Sequence, residues 1–351
     1  MRRPVPSTAT MKGLKIVSAG KAEVQDVAIP QLRPKHILVK ITAVATKPTD
    51  WKHIDYMPSP GATVGCDFAG IVEELGPDVH TDLKRGDRVA GVVHGSNAMN
   101  LESGCFAEYA LVKAHACFKT PRNLSNEEAA TLGVALGTVG QALYQNLHLP
   151  LPGTLEPAGW YVLVHGGSSA TGSIAIQFAK LSGAKVLATS SPKNFSFLKS
   201  LGAEEVSDYN DPECTSKIRA YTDDSLHHVL DCIGGESSSK ICSDSISSAG
   251  GQIATIVGGT KCPRDDVRVK WVLAYTAMGE AFRLGGRDFP AIVEDKDFAG
   301  MFLRLSRRLL EEGTIKFNPP QVNSGGLEGI PNGLQAMRDG KVSGVKLVYR
   351  I

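Results

Sequence analysis

Apolar positions along the chain fall in short blocks, and their spacing changes from one half to the other. Between residues 14 and 119 the blocks have strand length, at 37–44, 68–75 and 88–93. They are punctuated by Gly76-Pro77-Asp78 and Arg85-Gly86-Asp87. The pattern predicts a β-rich unit of short strands, a compact and partly closed barrel. Helical spacing follows over 126–133 and 138–147, then a loop rich in Pro and Gly over 150–159. From Trp160 onward strands and helices alternate. Strands are predicted at 161–164, 185–189, 205–206, 228–231 and 252–257. Helices are predicted at 193–201, 214–221 and 237–246, and a further one carries Ile174, Phe178 and Leu181 on one face. This alternation is that of a doubly wound parallel sheet, an α/β fold. Residues 258–290 read as irregular. A helix over 297–312 groups Phe298, Phe302, Leu305 and Leu309. A helix over 327–338 and a strand over 346–350 close the chain, and that strand, lying outside the alternation, returns to the first domain. The expected division is a flexible lead over 1–12, a β-rich domain from 13–135 and 318–351, and an α/β domain over 136–317.

Two domains also follow from the length of 351 residues. Apolar content of 42%, charged content of 21% and a net charge of +2 describe a soluble globular protein with no basic arm for nucleic acid. No apolar run reaches the roughly 18 residues of a membrane span. Arg2 and Arg3 are not followed by an apolar stretch, so no secretory signal is read there and a cytoplasmic location is expected. Seven cysteines without a C-x-x-C pair fit reduced thiols, and neither a disulfide framework nor a zinc cage.

The densest chemistry lies at residues 160–183. A buried strand is followed at once by His165-Gly166-Gly167-Ser168-Ser169-Ala170-Thr171-Gly172 and then by a helix. Strand, glycine turn and helix let backbone N–H groups and a helix N-terminus meet a pyrophosphate. The loop departs from G-x-G-x-x-G, and a tight turn that binds nothing is the competing reading. The next strand ends in Ser190-Ser191-Pro192-Lys193-Asn194. A site for NAD places a carboxylate there for the ribose 2′-hydroxyl. Here two hydroxyls and an ammonium replace it, which predicts NADPH as the cofactor. The serines also suit the cap of the following helix.

Gly86-Asp87-Arg88-Val89, Leu201-Gly202-Ala203 and the closing stretch Gly340 to Val348 resemble the medium-chain dehydrogenase/reductase superfamily over nearly the whole chain. The implied fold is a Rossmann cofactor domain inserted into a GroES-like catalytic domain. The zinc-binding members carry a Cys after the strand at 37–44 and a Gly-His-Glu. Here these are Thr46-Lys47-Pro48-Thr49-Asp50-Trp51-Lys52 and Gly65-Cys66-Asp67, and the four-cysteine lobe is missing, so no metal is expected. With Gly166 to Thr171, Ser191 to Phe195, Gly202 to Val206, Asp208-Tyr209 and Asp231-Cys232-Ile233, the chain is similar to the trans-acting enoyl reductases that accompany fungal polyketide synthases and polyketide–peptide hybrids, of the lovastatin-pathway type. Thr46-Lys47, where those relatives usually have Ile-Asn, and Gly258-Gly259 depart from their pattern.

That resemblance implies NADPH-dependent reduction of an α,β-unsaturated acyl thioester carried by a synthase. Thr49, Asp50, Trp51 and Lys52 would line the nicotinamide side, and Ser168, Ser169, Ala170 and Thr171 the pyrophosphate. Ser191, Pro192, Lys193 and Asn194 would take the 2′-phosphate, with Tyr209 against the adenosine. Ile256 and Val257 would flank the nicotinamide, and Gly344 and Val345 would close over the cofactor. The acyl pocket would use Thr138, Val139, Gly140, Gln141, Ala142, Leu143, Tyr144 and Gln145. It would also use Thr276, Ala277, Met278, Gly279 and Glu280. Lys52 is the expected catalytic contact to the developing enolate or to the ribose, a solvated lysine being the alternative. Thr138 is the second catalytic candidate, or else a helix cap. The proton donor is left open among Tyr56, Asp50 and water. Arg304, Arg307 and Arg308, or Arg264, Arg268 and Lys270, would meet an acidic carrier domain unless they are simply solvated. Charge and Pro263 near the sheet edge predict a monomer. Two other functions share these features: a free-standing NADPH quinone or alkenal oxidoreductase, and a non-catalytic NADPH-binding accessory subunit.

Overall fold

Apolar residues at every second or third position set the first hairpin. Strand β1 (Thr10–Ser18) buries Met11, Leu14 and Ile16 and pairs antiparallel with β2 (Lys21–Ala28). The structure is a computed structural model and describes residues 9–153 and 159–351. The expected lead over 1–12 is therefore shortened: residues 1–8 lie outside the described part, and Thr10, Met11 and Lys12 are already strand. They are strand because Lys12 pairs with Asp26 and Met11 with Val27.

The first unit continues with β3 (His36–Ala45), α1 (Pro48–Tyr56), β4 (Asp67–Leu75), β5 (Arg88–Val92), β6 (Tyr109–Lys113) and β7 (Cys117–Lys119). Helix α2 (Asn126–Ala129) opens with a capping box between Ser125 and Glu128. It stops after one turn, and α3 (Gly133–Gly140) follows and passes into a π-helical turn, Gln141–Asn146. The expected helices at 126–133 and 138–147 are thus redistributed into three shorter segments. Leu147 donates to the carbonyl of Ala142 at 2.9 Å, an i to i−5 bond.

The second unit has the expected alternation: β8 (Tyr161–His165), α4 (Ala170–Leu181), β9 (Lys185–Ser190), α5 (Phe195–Leu201), β10 (Glu205–Asp208), α6 (Cys214–Tyr221), β11 (Leu226–Asp231), α7 (Glu236–Ser245) and β12 (Gly251–Thr255). Leu163, Leu187, Val229, Ile253 and Cys242 form its core. The stretch 258–290 is not irregular. It holds β13 (Val267–Trp271), a 3-10 turn (Ala274–Met278) and the hairpin β14 (Phe282–Leu284) and β15 (Arg287–Phe289). Six parallel strands lie in the order β10-β9-β8-β11-β12-β13. The order reverses between β8 and β11, and crevices at such points hold ligands in doubly wound sheets. Pro263 and its charged neighbours do not end the sheet, because β13 adds itself beyond them in parallel with β12.

The chain closes with α8 (Val293–Glu311), β16 (Pro320–Asn323), α9 (Gly326–Arg338) and β17 (Lys346–Arg350). As expected, β17 returns to the first unit. It lies antiparallel to β3 in a sheet ordered β16-β17-β3-β4-β5-β7, with β6 also on β3. The path is open, from β16 at one edge to β7 at the other. One compact unit comprises the chain to Gly137, Tyr275–Thr314 and Asn318–Ile351, and the other Thr138–Ala274 and Ile315–Phe317. Tyr275–Thr314 joins the first unit, where the alternation had placed it in the second. Helix α8 packs on β7 and the turn Ala114–Ala116, burying Phe302, Leu303, Leu309 and Leu310.

Candidate functional site

In the second unit, α4 presents its N-terminus at the end of β8. Ser169 caps it: its Oγ accepts from the Gly172 N–H at 3.0 Å and donates to the Gly166 carbonyl at 2.8 Å. No acidic residue sits in the first turn, so the helix N-terminus keeps its positive character. Ser168, Ala170 and Thr171 are half-buried around this end. A Cβ at Gly172 would stand 2.4 Å from the Gly166 carbonyl oxygen, so the loop folds this tightly only with glycine there. Gly166 itself holds φ +75°, a left-handed conformation that side chains resist. The loop is therefore a preformed cradle of small residues at the C-terminal end of β8.

The end of β9 opens beside it. Ser191, Pro192, Lys193 and Asn194 form a 3-10 turn (Pro192–Asn194) and the residue before it, so the expected helix over 193–201 starts two residues late as α5. Neither Ser191 nor Asn194 caps that turn or α5 through its side chain, although Asn194 Nδ2 donates to Ser191 Oγ at 3.2 Å. Lys193 is exposed and makes no ion pair among the described residues. Tyr209 is 43% exposed and stands edge-on to His165, whose Nδ1 shares a hydrogen bond with Thr189 Oγ1 at 2.7 Å. At the switch point Asp231 is fully buried. Its Oδ1 accepts from Ile233 N–H, Gly234 N–H and Ser238 Oγ, and its Oδ2 has no partner among the described residues. Ile256 and Val257 follow β12 and are half-buried.

Thr138 lies inside α3, five residues after Gly133, so it does not cap that helix. Val139, Ala142 and Leu143 are wholly buried, Gly140 and Gln141 nearly so, and Gln145 half-buried. The Tyr144 hydroxyl bonds Ser182 Oγ at 3.1 Å and donates to the Phe178 carbonyl at 3.4 Å. The helix α4 thus holds Tyr144 by its polar end.

The first unit contains a buried polar cluster that spacing alone did not reveal. Asp67, fully buried, meets Lys47 Nζ at 2.7 Å and Lys346 Nζ at 3.2 Å, and its Oδ1 accepts from the Val134 N–H at 2.7 Å. Burial pushes the Asp67 carboxyl up, but the two ammonium groups outweigh it and hold it below its ordinary value. Burial lowers Lys346 to about 8. The Cys66 thiol is pushed up to about 12 by burial and lies 3.7 Å from the Tyr275 hydroxyl. With a protonated thiol and an Asp already matched to two cations, this donor set does not suit a divalent metal. Among the described residues no three His, Cys, Asp or Glu are grouped to hold one.

Helix α1 carries Thr49, Asp50, Trp51 and Lys52. Thr49 Oγ1 hydrogen-bonds Tyr275 OH at 3.0 Å and lies 3.2 Å from His53 Nδ1. His53 Nδ1 also meets the Thr49 carbonyl at 2.7 Å, which fixes that nitrogen as the donor and leaves Nε2, buried and without a partner among the described residues, as an acceptor. Tyr275 stacks on His94, with centroids 3.8 Å apart, and burial lowers His94 to about 3, so the ring stays neutral. Asp50 closes the capping box, accepting from the Lys47 N–H at 2.8 Å, and its Oδ1 is unpartnered among the described residues. Lys52 is half-buried, its Nζ 5.8 Å from the Trp51 ring. Tyr56 is 71% exposed. The remaining candidates in this unit are Gly344 at φ +72° and Val345, which precede Lys346, and the stretch from Thr276 to Glu280. Thr276 Oγ1 donates to Asp295, the Ala277 carbonyl meets His115 Nε2 at 3.0 Å, and Glu280 pairs with Lys113. Met278 and Glu280 line a cleft with His94, Phe282 and Leu111, while Gly279 packs on Lys296.

Burial raises the Asp50 carboxyl from 3.8 to about 7 despite Lys47 beside it. Between these values the unfolded chain releases this proton and the folded chain keeps it. Stability from this group therefore falls as pH rises from about 4 to about 7. Asp50→Asn retains the acceptor for the Lys47 N–H and is expected to remove that slope. Urea midpoints measured across the window check it, and an unchanged slope contradicts the assignment.

Arg264 is withdrawn as a candidate for a carrier-facing rim. Its guanidinium donates to the carbonyls of Ser243, Ile246 and Ser247 and pairs with Asp266, completing the C-terminus of α7. Arg268 and Lys270 remain exposed on β13, and Arg304 and Arg308 on α8. No helix among the described residues is long and apolar enough to cross a membrane.

Comparison with known proteins agrees with this fold. Residues 33–122 match the alcohol dehydrogenase GroES-like domain and residues 170–283 the zinc-binding dehydrogenase family. A trans-enoyl reductase of Alternaria alternata is 44% identical over 344 residues, 97% of this chain and 99% of that one. A trans-enoyl reductase of Aspergillus sclerotiorum is 42% identical over 358 residues, 97% of this chain and all of its own. Among solved structures, the quinone oxidoreductase of Coxiella burnetii superposes with a TM-score of 0.74 at 24% identity, covering 98% of this chain and 100% of that one. The CurK enoyl reductase does so at 0.76 and 19%, covering 97% and 99%. At these identities the two structures speak for the fold.

Proposed function

The chain belongs to the trans-enoyl reductases of the zinc-binding dehydrogenase family, and from that premise we propose that it reduces the α,β double bond of an acyl thioester presented by a polyketide synthase carrier domain, with NADPH as reductant. The observation that carries the cofactor choice is the end of β9, where Ser190, Ser191 and the unpaired Lys193 stand in place of a carboxylate. The tight glycine cradle and uncompensated N-terminus of α4 support a pyrophosphate beside them. When bound, NADPH supplies the hydride for the β-carbon.

The chain's own task is to orient the thioester and stabilise the charge that grows on its oxygen. Lys52 is the cation for that charge, on a helix whose neighbours Thr49, His53 and Tyr275 are fixed in one hydrogen-bonded group. Thr138, on α3, is the second polar contact. Val345 and Gly344 close over the cofactor, and the acyl chain is received by the stretches from Thr138 to Gln145 and from Thr276 to Glu280. Arg304 and Arg308 favour an acidic carrier domain by long-range attraction.

Turnover of NADPH by the purified protein, with a 2-enoyl pantetheine thioester beside a simple quinone, tests the reaction. Thioester turnover is expected. Quinone turnover alone would replace the reading with a quinone reductase, and tight NADPH binding without turnover would point to a required carrier domain. The cofactor choice has its own test. Lys193→Glu is expected to weaken NADPH about tenfold or more while leaving NADH nearly untouched, because a charged hydrogen bond to the 2′-phosphate is lost and repulsion replaces it. Equal losses for both cofactors would contradict it.

A further inference from the structure

Helix α1 has only nine residues and buries three, Asp50, His53 and Ile54. A helix this short is not stable on its own; Ile54 in the core, Trp51 packed against it and the Thr49–Tyr275 hydrogen bond hold its inner face. Its N-terminal end is held by the capping box at Lys47 and Asp50. Its C-terminal end is held by Asp55, on which Arg338 of α9 makes a two-pronged contact: Nε to Oδ2 at 2.8 Å and an Nη to Oδ1 at 2.7 Å. The two side chains are only 20% and 19% exposed. A carboxylate in the last turn of a helix opposes the helix dipole, whereas an arginine in the last turn of α9 suits it. Asp55 is thus in an unfavourable place for its own helix and a favourable one for Arg338. The other acid next to Arg338, Asp339, is already engaged by Lys341 and Gln335.

Arg338 does a second thing. Its guanidinium carbon is 5.9 Å from the centroid of the Trp51 ring, and Lys52 Nζ is 5.8 Å from the same centroid. Trp51 and Asp55 are one helical turn apart and share a face. Arg338 therefore grips α1 at two successive turns, and the indole it holds is the surface on which the Lys52 side chain rests.

We propose that Arg338 and Asp55 are positioning residues for Lys52, fixing through Trp51 where its ammonium can reach. The proposal rests on the reading that Lys52 meets the charge developing on the substrate. A fork of two parallel hydrogen bonds fixes direction as well as distance, which a lysine at the same place would not.

The test is steady-state reduction of a 2-enoyl pantetheine thioester by the protein and seven variants, with thermal melts in parallel. Arg338→Ala is expected to lower kcat about ten- to a hundredfold, the cost of a misplaced catalytic group, with the KM for NADPH little changed. Arg338→Lys should recover only part. The exchange Asp55→Arg with Arg338→Asp should recover more than either single change, which also answers a folding defect. In a Lys52→Ala background, Arg338→Ala should add nothing, because it acts through Lys52. A normal kcat in Arg338→Ala, or a full additional loss in the Lys52→Ala background, overturns the proposal and leaves the reading of Lys52 intact. A normal kcat in Lys52→Ala overturns both.

Discussion

Lys52→Ala is expected to lower kcat for an enoyl thioester by roughly 10²–10³-fold, the usual cost of removing one donor to a developing oxyanion. The loss should fall on kcat and kcat/KM together, because the charge on the thioester oxygen is absent from the bound substrate and develops on the way to the transition state. Lys52 is suited to that work by its setting. It is half-buried on α1, beside the Trp51 face, and Thr49 on the same helix is engaged with Tyr275 rather than with it. Its charge is not drawn into an ion pair with any described residue. Lys52→Arg keeps the charge and should retain a measurable share of the rate. Stopped-flow oxidation of NADPH separates the outcomes. A fall in the single-turnover rate supports the oxyanion role. A rise in the KM for NADPH with an unchanged rate would instead place Lys52 on the ribose, the other contact open to it.

The second large effect is on stability. Asp67→Asn is expected to cost about 3–5 kcal/mol, since removing one partner of a buried ion cluster strands the other charges. Here two ammonium groups, Lys47 and Lys346, would face each other with the carboxylate gone. The amide also meets the Val134 N–H less strongly than the carboxylate does, loosening the start of α3. The normal protein should show the corresponding pH dependence. Asp67 is held below its ordinary 3.8, so its stabilising contribution is complete above that value and is lost as pH falls through the lowered one. This runs opposite to Asp50, and the two variants together should separate the slopes. Adding Lys47→Met to Asp67→Asn should restore part of the loss, because one stranded charge is removed. Denaturant midpoints decide it; a double variant no more stable than the single would mean that Lys47 is not the stranded partner.

The architecture was legible where burial writes itself into local pattern. The parallel strands β8 and β9 carry short apolar runs, β11 and β12 have apolar centres at Val229-Leu230 and Ile253-Ala254, and α4 and α8 carry helical spacing, so the doubly wound sheet could be read directly. Strand β13 could not. Val267, Arg268, Val269 and Lys270 do alternate, but only Val267 is buried, and an edge strand leaves a weak apolar signal. The helix breaks after Ala129 and at the π-helical turn were invisible for a different reason. They depend on which carbonyl each N–H finds, and composition is silent on that.

The site divides in the same way. The loop around Ser169 and the turn at Ser191, proposed for the cofactor, were legible as local structure because each is a contiguous stretch between a strand and a helix. The Asp67 cluster was not, as Lys346 stands 279 residues away and reaches Asp67 only because β17 returns beside β3. Tyr275 was hidden by its place in a stretch without clear periodicity, though it joins Thr49, Cys66 and His94. The one hint was local: charged residues at the ends of strands that are otherwise buried, Asp67 before Phe68 and Lys346 before Leu347.

The two lysines on Asp67 also bear on how the protein is supplied. The positive charge that faces buried Asp67 is carried on side chains that leave the ribosome with it. Such a cation is present in fixed ratio to the polypeptide. It cannot be exchanged, chelated or out-competed, so the charge balance around Asp67 is set by the polypeptide and not by the supply of an ion.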